Sequence, residues 1–364
     1  LATSYNNIGN ILHNQSKLQA ALEMHQKAKS IQERLAPESL EVAHSCHNVA
    51  CVLQDQGKFP EALRKYAVAQ SIRTRLAPES LDLARTHNNI GNIFESQGKL
   101  LQALERHAAA QSIRERFAPD SLDLACTFNN VANVLQVQGK FRPAMELYEK
   151  ALTIQNREAP QSLDVGATFS NIGLVYFNEG TAEKALEMYH KAKEIQESIS
   201  QDCLDLSITL NNIAEVLCVQ HLEGKKGISL LQDSLEYCQK AQDIRKRLAP
   251  DSLALADILR TFGNIYHQAQ TQGYQEEAIS VFMMDPVDYY DQARAIQSEH
   301  APDSPDLART LRDMAVLHRH RGNTDAALDL ARQACSIWEK PHIGIVGGHP
   351  RYIEAKTLLK ELES

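Results

Sequence analysis

Apolar residues recur three and four positions apart along most of this chain, and their phase resets about every twenty residues, the signature of successive amphipathic helices. Between Leu122 and Leu135 the stripe is Leu124, Phe128, Val131, Ala132 and Leu135. After Gly139 a second stripe runs through Phe141, Ala144, Met145, Tyr148, Ala151, Leu152 and Ile154. Ser121 stands where an N-cap belongs, and Asp123 suits the positive start of a helix. Ala159-Pro160 stops the second helix, because proline disfavours helix in the residue before it. The pattern predicts two helices joined by a short turn.

That pair repeats. Pro37, Pro78, Pro119 and Pro160 stand 41 residues apart, each followed by a near-copy of Glu-Ser-Leu-Asp-Leu-Ala. Repetition at a fixed interval predicts a solenoid that grows by adding units rather than by starting new cores. Eight hairpins are expected, over about 1–36, 37–77, 78–118, 119–159, 160–200, 201–249, 250–301 and 302–340. Small residues occupy one slot throughout: Gly9, Ala50, Gly91, Ala132, Gly173, Ala214, Gly263 and Ala315. Glycine inside a helix costs roughly 0.5–1 kcal/mol relative to alanine, so its recurrence implies close contact there. Insertions lengthen two units. One, at His221–Gly227, is expected to extend an inter-helix loop; the other carries Phe282-Met283-Met284-Asp285-Pro286, where Pro286 should break the second helix. The exposed Phe-Met-Met turn is a candidate partner contact or neutral loop growth.

The motifs Asn-Asn-Ile-Gly-Asn (6–10 and 88–92) and Asn-Asn-Val-Ala-Asn (129–133), with the Gly-Lys turns at 57–58, 98–99 and 139–140, resemble the tetratricopeptide repeat, in the long form found in kinesin light chains. The resemblance covers the chain from Leu1 to about Trp338. It implies an all-α fold, a right-handed superhelical solenoid over 1–340, with first helices lining a concave groove and second helices forming the outer wall. Residues 341–364 would then be a linker and a C-terminal capping helix near 350–362.

An asparagine series supports a groove independently. Asn7, Asn48, Asn89, Asn130, Asn171 and Asn212 recur at the 41-residue interval; Asn10, Asn92, Asn133 and Asn264 form a second series one turn on. The pairs Asn6, Asn88, Asn129 and Asn211 should lie nearer the groove. An amide carries a donor and an acceptor that match a peptide bond, so a ladder of them could hold an extended chain by its backbone. The same amides could instead bond neighbouring helices to one another, and the residues leave both readings open. Along the groove the composition changes. Repeats two to four offer polar groups (His44, His47, Cys51, Arg85, Asn88, Asn92, Asn129, Asn133, Gln136), and repeats five and six apolar ones (Leu174, Phe177, Ile208, Val219). Repeats seven and eight offer Arg260, Asn264, His267, Arg309, Arg312 and Arg319. An apolar anchor beside arginines predicts a protein or peptide partner with a bulky side chain and acidic residues or a free carboxylate.

Composition narrows the rest. The chain has 364 residues and a formal charge of -8 without a basic run, which argues against nucleic acid and anionic membrane as partners. No apolar run approaches the ~20 residues a membrane helix needs. The seven cysteines lack CxxC spacing and read as reduced core residues of a cytoplasmic protein. The chain opens at Leu1 in mid-repeat, which predicts a further segment upstream. His44, His47 and Cys51 share a helix face but have no fourth ligand, so no metal or other cofactor is expected. Gly344–Gly348 lacks the lysine and hydroxyl of a phosphate loop. His318 and His320 are expected to point different ways, and Trp338 to be a packing residue. No catalytic constellation stands out. The expected function is therefore non-enzymatic: an adaptor or scaffold that holds a partner segment in its groove. The alternatives are a regulatory array of a larger protein and a structural subunit of an assembly.

Overall fold

A computed structural model describes residues 1–222, 228–250, 252–272, 284–344 and 349–364. Among these the regular structure is helical, with no strand. The chain divides into two compact units, Leu1–Val131 and Ala132–Ser364. The first unit holds α1 (Ala2–Asn14), α2 (Leu18–Leu35), α3 (Leu40–Asp55), α4 (Phe59–Leu76), α5 (Leu81–Ser96) and α6 (Leu100–Phe117). Then follows α7 (Leu122–Val137), which begins in the first unit and ends in the second. The second unit continues with α8 (Phe141–Glu158), α9 (Leu163–Asn178), α10 (Ala182–Ile199), α11 (Leu204–Leu222) and α12 (Ile228–Leu248). It ends with α13 (Leu253–Thr271), α14 (Pro286–His300), α15 (Pro305–His320), α16 (Thr324–Trp338) and α17 (Pro350–Glu363).

Local chemistry sets the ends of these helices. Ser39, Ser80, Ser162 and Ser304 accept a hydrogen bond from the amide three residues on, and Ser121 does the same for Leu124 at 3.2 Å, as expected. Gly57, Gly98, Gly139, Gly180 and Gly322 take φ between 71° and 79° where first helices turn into second helices, a conformation only glycine adopts without strain. Pro286 starts α14, with Asp285 capping the amide of Val287 at 2.9 Å, because proline is tolerated where no intrahelical donor is needed; residues 273–283 before it lie outside the description. Phe282 and Met283 lie outside the described residues, while Met284 packs on the core around Phe262 and Tyr289. The first insertion goes largely into helix rather than loop. α11 has 19 residues and α12 has 21, against 16 and 18 in α3 and α4, and three added residues are close to one turn, which keeps the apolar faces in phase. Residues 223–227 lie outside the description.

Where the small slot of the first helix is glycine, a ring from the second helix lies over it. A methyl group at Gly9, Gly91, Gly173 or Gly263 would come within 2.5–2.7 Å of His25, His107, Tyr189 or Tyr290, and all four rings are buried. Successive hairpins are tied by buried polar side chains. Arg73 donates to the Asp82 carbonyl at 3.0 Å and to Thr86; Arg114 bonds Asp123 and Thr127 in the same way; Thr168 donates to Gln155 at 2.9 Å. Trp338 is 3% exposed, a packing residue whose ring lies 5.2 Å from that of His349.

The ring-on-glycine contact makes a direct prediction. Gly173→Ala drives a methyl into a fully buried tyrosine ring and should cost about 1–3 kcal/mol through overpacking, far beyond alanine's gain in helix propensity. A urea midpoint equal to or above that of the parent protein would contradict it.

Candidate functional site

The second-helix ring decides which asparagines face out. Where it is tyrosine, its hydroxyl reaches past the small slot to the residue beyond. Tyr148 donates to Asn133 at 2.6 Å, Tyr290 to Asn264 at 2.6 Å and Tyr66 to Cys51 at 3.2 Å. Where it is histidine, the ring instead meets an asparagine three residues before the slot: His25 bonds Asn6 at 3.0 Å and His107 bonds Asn88 at 3.3 Å. Asn6 and Asn88 are therefore buried, and Asn211, whose hairpin carries no such ring, is buried too; all three are 4–6% exposed and lie between helices rather than nearer the groove, a correction to the reading of that series. Their amides are used where water cannot serve them. Asn129 and Asn171 are half-buried.

The two longer asparagine series are linked to each other. In the first unit Asn48 donates to Asn10 at 3.5 Å, and Asn130 donates to Asn92 at 3.0 Å and to Asn88 at 3.1 Å. Asn89 donates to the Tyr66 hydroxyl at 3.1 Å. In the second unit Asn212 donates to Ser170 at 3.4 Å. In the first unit these amides bond neighbouring first helices to one another, with Asn10 and Asn92 as acceptors. Asn10 is exposed and Asn92 half-buried. Beside them Arg85 is exposed and His44 half-buried, whereas His47 is buried and bonded to Thr86 at 3.2 Å.

In the second unit the expected open basic face is a closed charge cluster. Arg260 is 2% exposed and is shared between Glu215 and Asp313, each at 3.1 Å. Arg309 reaches Glu215 at 2.7 Å, and Arg351, from the start of α17, reaches it at 3.4 Å. Arg312 meets Asp313 at 3.1 Å and Glu354 at 3.0 Å, and Arg319 meets Glu361 at 2.5 Å. Asn264 donates to Asp313 at 3.2 Å, and His267 and His320 share a 2.8 Å hydrogen bond. The apolar stretch is covered as well: the Arg351 guanidinium lies 5.2 Å from the centre of the Phe177 ring. Leu174 stays half-buried and Ile208 exposed.

Burial works to raise the Glu215 carboxyl, but Arg260, Arg309 and Arg351 outweigh it and hold the group well below the usual carboxylate range. Asp313 is lowered likewise, against its burial, by Arg312 and Arg260. His349 is pushed down to about 4 by burial and then by Arg351 and Arg309, and His267 to about 4 by burial and His320.

Sequence reasoning overlooked Glu215, Asp313, Arg351, Glu354 and Glu361. Two of them carried a signal. Glu215 stands 82 residues after Asn133 and so replaces an asparagine of the second series, and Asp313 fills the place of the first series in the last hairpin. Both put a carboxylate where the repeat has an amide. Arg351, Glu354 and Glu361 lie beyond the repeats, where no period points to them.

Two predictions follow from the cluster. Removing the charge with Glu215→Gln leaves three arginines without their shared partner and should destabilise the second unit by about 3–5 kcal/mol, read from the denaturant dependence of Trp338 emission. A loss under 1 kcal/mol would show that the cluster is not cohesive. The second concerns acid. A histidine whose folded value is depressed contributes stability that is full above its ordinary value near 6.5 and is lost as pH falls toward 4. Glu215 and Asp313 lose theirs only below the ordinary carboxylate range, so the signs agree. Trp338 emission should shift to the red with a midpoint between pH 6.5 and 4, and a His349→Gln variant should shift less. An unchanged spectrum down to pH 4 would refute this.

Comparison with known proteins agrees with the geometry. A family profile described as tetratricopeptide repeat matches residues 1–75, 82–157 and 287–340, and a second of the same description matches 167–199. Curated protein sequences give no match. Among solved structures, a Rap protein complexed with Competence and Sporulation Factor is 14% identical with a TM-score of 0.61, over 100% of this chain and 96% of that one. Aspartyl phosphate phosphatase F from Bacillus subtilis is 15% identical with a TM-score of 0.59, over 89% and 77%. BtubC (BKLC) from P. vanneervenii is 22% identical with a TM-score of 0.51, over 64% and 92%. At these identities the likeness is one of fold. Among the described residues no helix is long and apolar enough to cross a membrane.

Proposed function

The chain belongs to the tetratricopeptide repeat family, a protein-interaction fold, and from that premise we propose that it is a non-enzymatic adaptor or scaffold that holds an extended segment of a partner on its first helices. The observation that carries this reading is the set of linked surface amides in the first unit. Asn48–Asn10 and Asn130–Asn92 pair neighbouring first helices and leave the Nδ2 groups of Asn10 and Asn92 with no acceptor among the described residues. An extended backbone would supply those acceptors at each step, largely regardless of its sequence. Each such bond is worth about 0.5–1.5 kcal/mol net, so affinity comes from several acting together.

A finer part of the proposal concerns the second unit. Arg312 and Arg319, 21% and 45% exposed, are the arginines of the cluster that a partner can reach, and they favour a segment with acidic residues. Arg260 serves that face from behind, as the buried charge that orders Glu215 and Asp313.

An immobilised library of 15-residue peptides, probed with the parent protein and with an Asn10→Ala, Asn48→Ala, Asn92→Ala variant, tests the first part. Peptides retained by the parent should lose at least tenfold in affinity in the variant while its thermal midpoint stays within a few degrees. Equal retention by both proteins would overturn the amide reading.

A further inference from the structure

The last helix supplies two of the carboxylates that occupy the arginine face, and it supplies them in register. Arg312 and Arg319 stand seven residues apart on α15, two turns along one side. Glu354 and Glu361 stand seven apart on α17 and meet them in order, at 3.0 Å and 2.5 Å. α17 packs on both α16 and α15, as a further first helix would.

What holds α17 differs along its length. Its start is anchored. His349 is buried against Phe141 and Trp338, its side chain and backbone lie against Gly139, and Arg351 spans Phe177 and Glu215. Beyond Arg351 only Ala355 and Leu358 are buried, whereas α15 buries nine residues. The remaining hold is polar and partly exposed: Glu354 is 44% and Glu361 49% exposed, Arg332 meets Glu363 at 3.1 Å, Lys356 meets Glu339 at 3.4 Å and Tyr352 donates to Glu339 at 2.8 Å, and exposed ion pairs give little net stability and weaken with salt. Beside the Arg312–Glu354 pair lies a cavity of about 240 Å³, lined in part by Asn264, His267, Arg312, Val316 and Glu354. A face with matched charges, a side-chain cavity beside it and a lightly held cover has the features of a docking site closed by its own chain.

We infer that residues 354–363 of α17 are an internal occupant of the Arg312–Arg319 face, and that the partner this face takes is an acidic helical segment of another protein with carboxylates seven residues apart, which displaces them. The inference rests on the reading that this face receives acidic segments. It adds that the resting protein fills the face itself, so binding is gated by release of α17 while His349 and Arg351 stay anchored.

The test uses the full chain and a fluorescein-labelled peptide with the sequence of residues 349–364, followed by anisotropy. Glu354→Lys, Glu361→Lys removes the cover's charge match and should bind the peptide at least tenfold more tightly than the parent protein. A charge-swapped variant, Arg312→Glu and Arg319→Glu in addition, restores the internal pairs with inverted sign and should not bind it. Trp338, the single tryptophan, packs on the anchor and should keep its emission in all three proteins. Saturating peptide should also speed hydrogen exchange at 354–363 in the parent. Equal affinity of parent and double variant would overturn the gating while leaving the arginine face as an acidic-segment site. Binding to neither would overturn both. Tighter binding accompanied by red-shifted Trp338 emission would mean that the second unit had unfolded, and would also overturn the inference.

Discussion

The contact on which the rest depends is an aromatic or imidazole ring of the second helix lying on a small residue of the first. It sets how closely the two helices of a hairpin approach, most tightly at Gly9, Gly91, Gly173 and Gly263. Because the ring is polar at its far edge, the same contact also orders the surface. A tyrosine hydroxyl passes the slot and fixes the asparagine beyond it, as at Asn133 and Asn264; a histidine stops short and fixes a buried one, as at Asn6 and Asn88. One packing choice in the interior therefore sets how these amides are held.

Charge is handled differently in the two units. In the first, neighbouring first helices are joined by neutral amides, and the buried guanidinium groups of Arg73 and Arg114 point away from that face into hydroxyls and carbonyls of the next hairpin. In the second, Glu215 and Asp313 replace amides, and arginines converge on them. A buried carboxylate is tolerable only if its desolvation is offset by close opposite charge, and three guanidinium groups provide that for Glu215. The consequence is specificity of arrangement. Arg351, at the start of α17, adds the third charge on Glu215 and ties that helix to one more than a hundred residues earlier.

How much of this was legible in the sequence depends on period. The helices, their caps and the small slot all recur, and a recurring residue announces its physical cause: Ser121 as a cap, Gly173 as a point of contact. The asparagine series was visible too, but its division into buried and surface members was not, because the deciding residue sits on the other helix of the pair, at His107 or Tyr148. The arginines at 260, 309, 312 and 319 were read as an open basic face since most of the carboxylates that oppose them lie far away in sequence. Their carboxylates come from Glu215 on an earlier helix and from Glu354 and Glu361 beyond the repeats. Pairing across that distance is tertiary information. What the sequence did offer was the break in pattern: a glutamate and an aspartate standing where the repeat places amides.

The two surfaces differ in what conditions they tolerate. Hydrogen bonds between neutral amides and a backbone change little with ionic strength, and they reward length of contact over composition. Ion pairs at a partly exposed face respond to salt and to the exact spacing of charge, and they are satisfied equally well by any carboxylates that present that spacing. On the proposed reading, a protein that carries both would grip many sequences weakly through one unit and discriminate among acidic ones through the other. The arginine face must not stay bare, because unpaired arginines near Glu215 would repel one another and loosen the cluster that holds the second unit together. Occupation of Arg312 and Arg319 by Glu354 and Glu361 thus follows from the same electrostatics that makes the face useful to a partner.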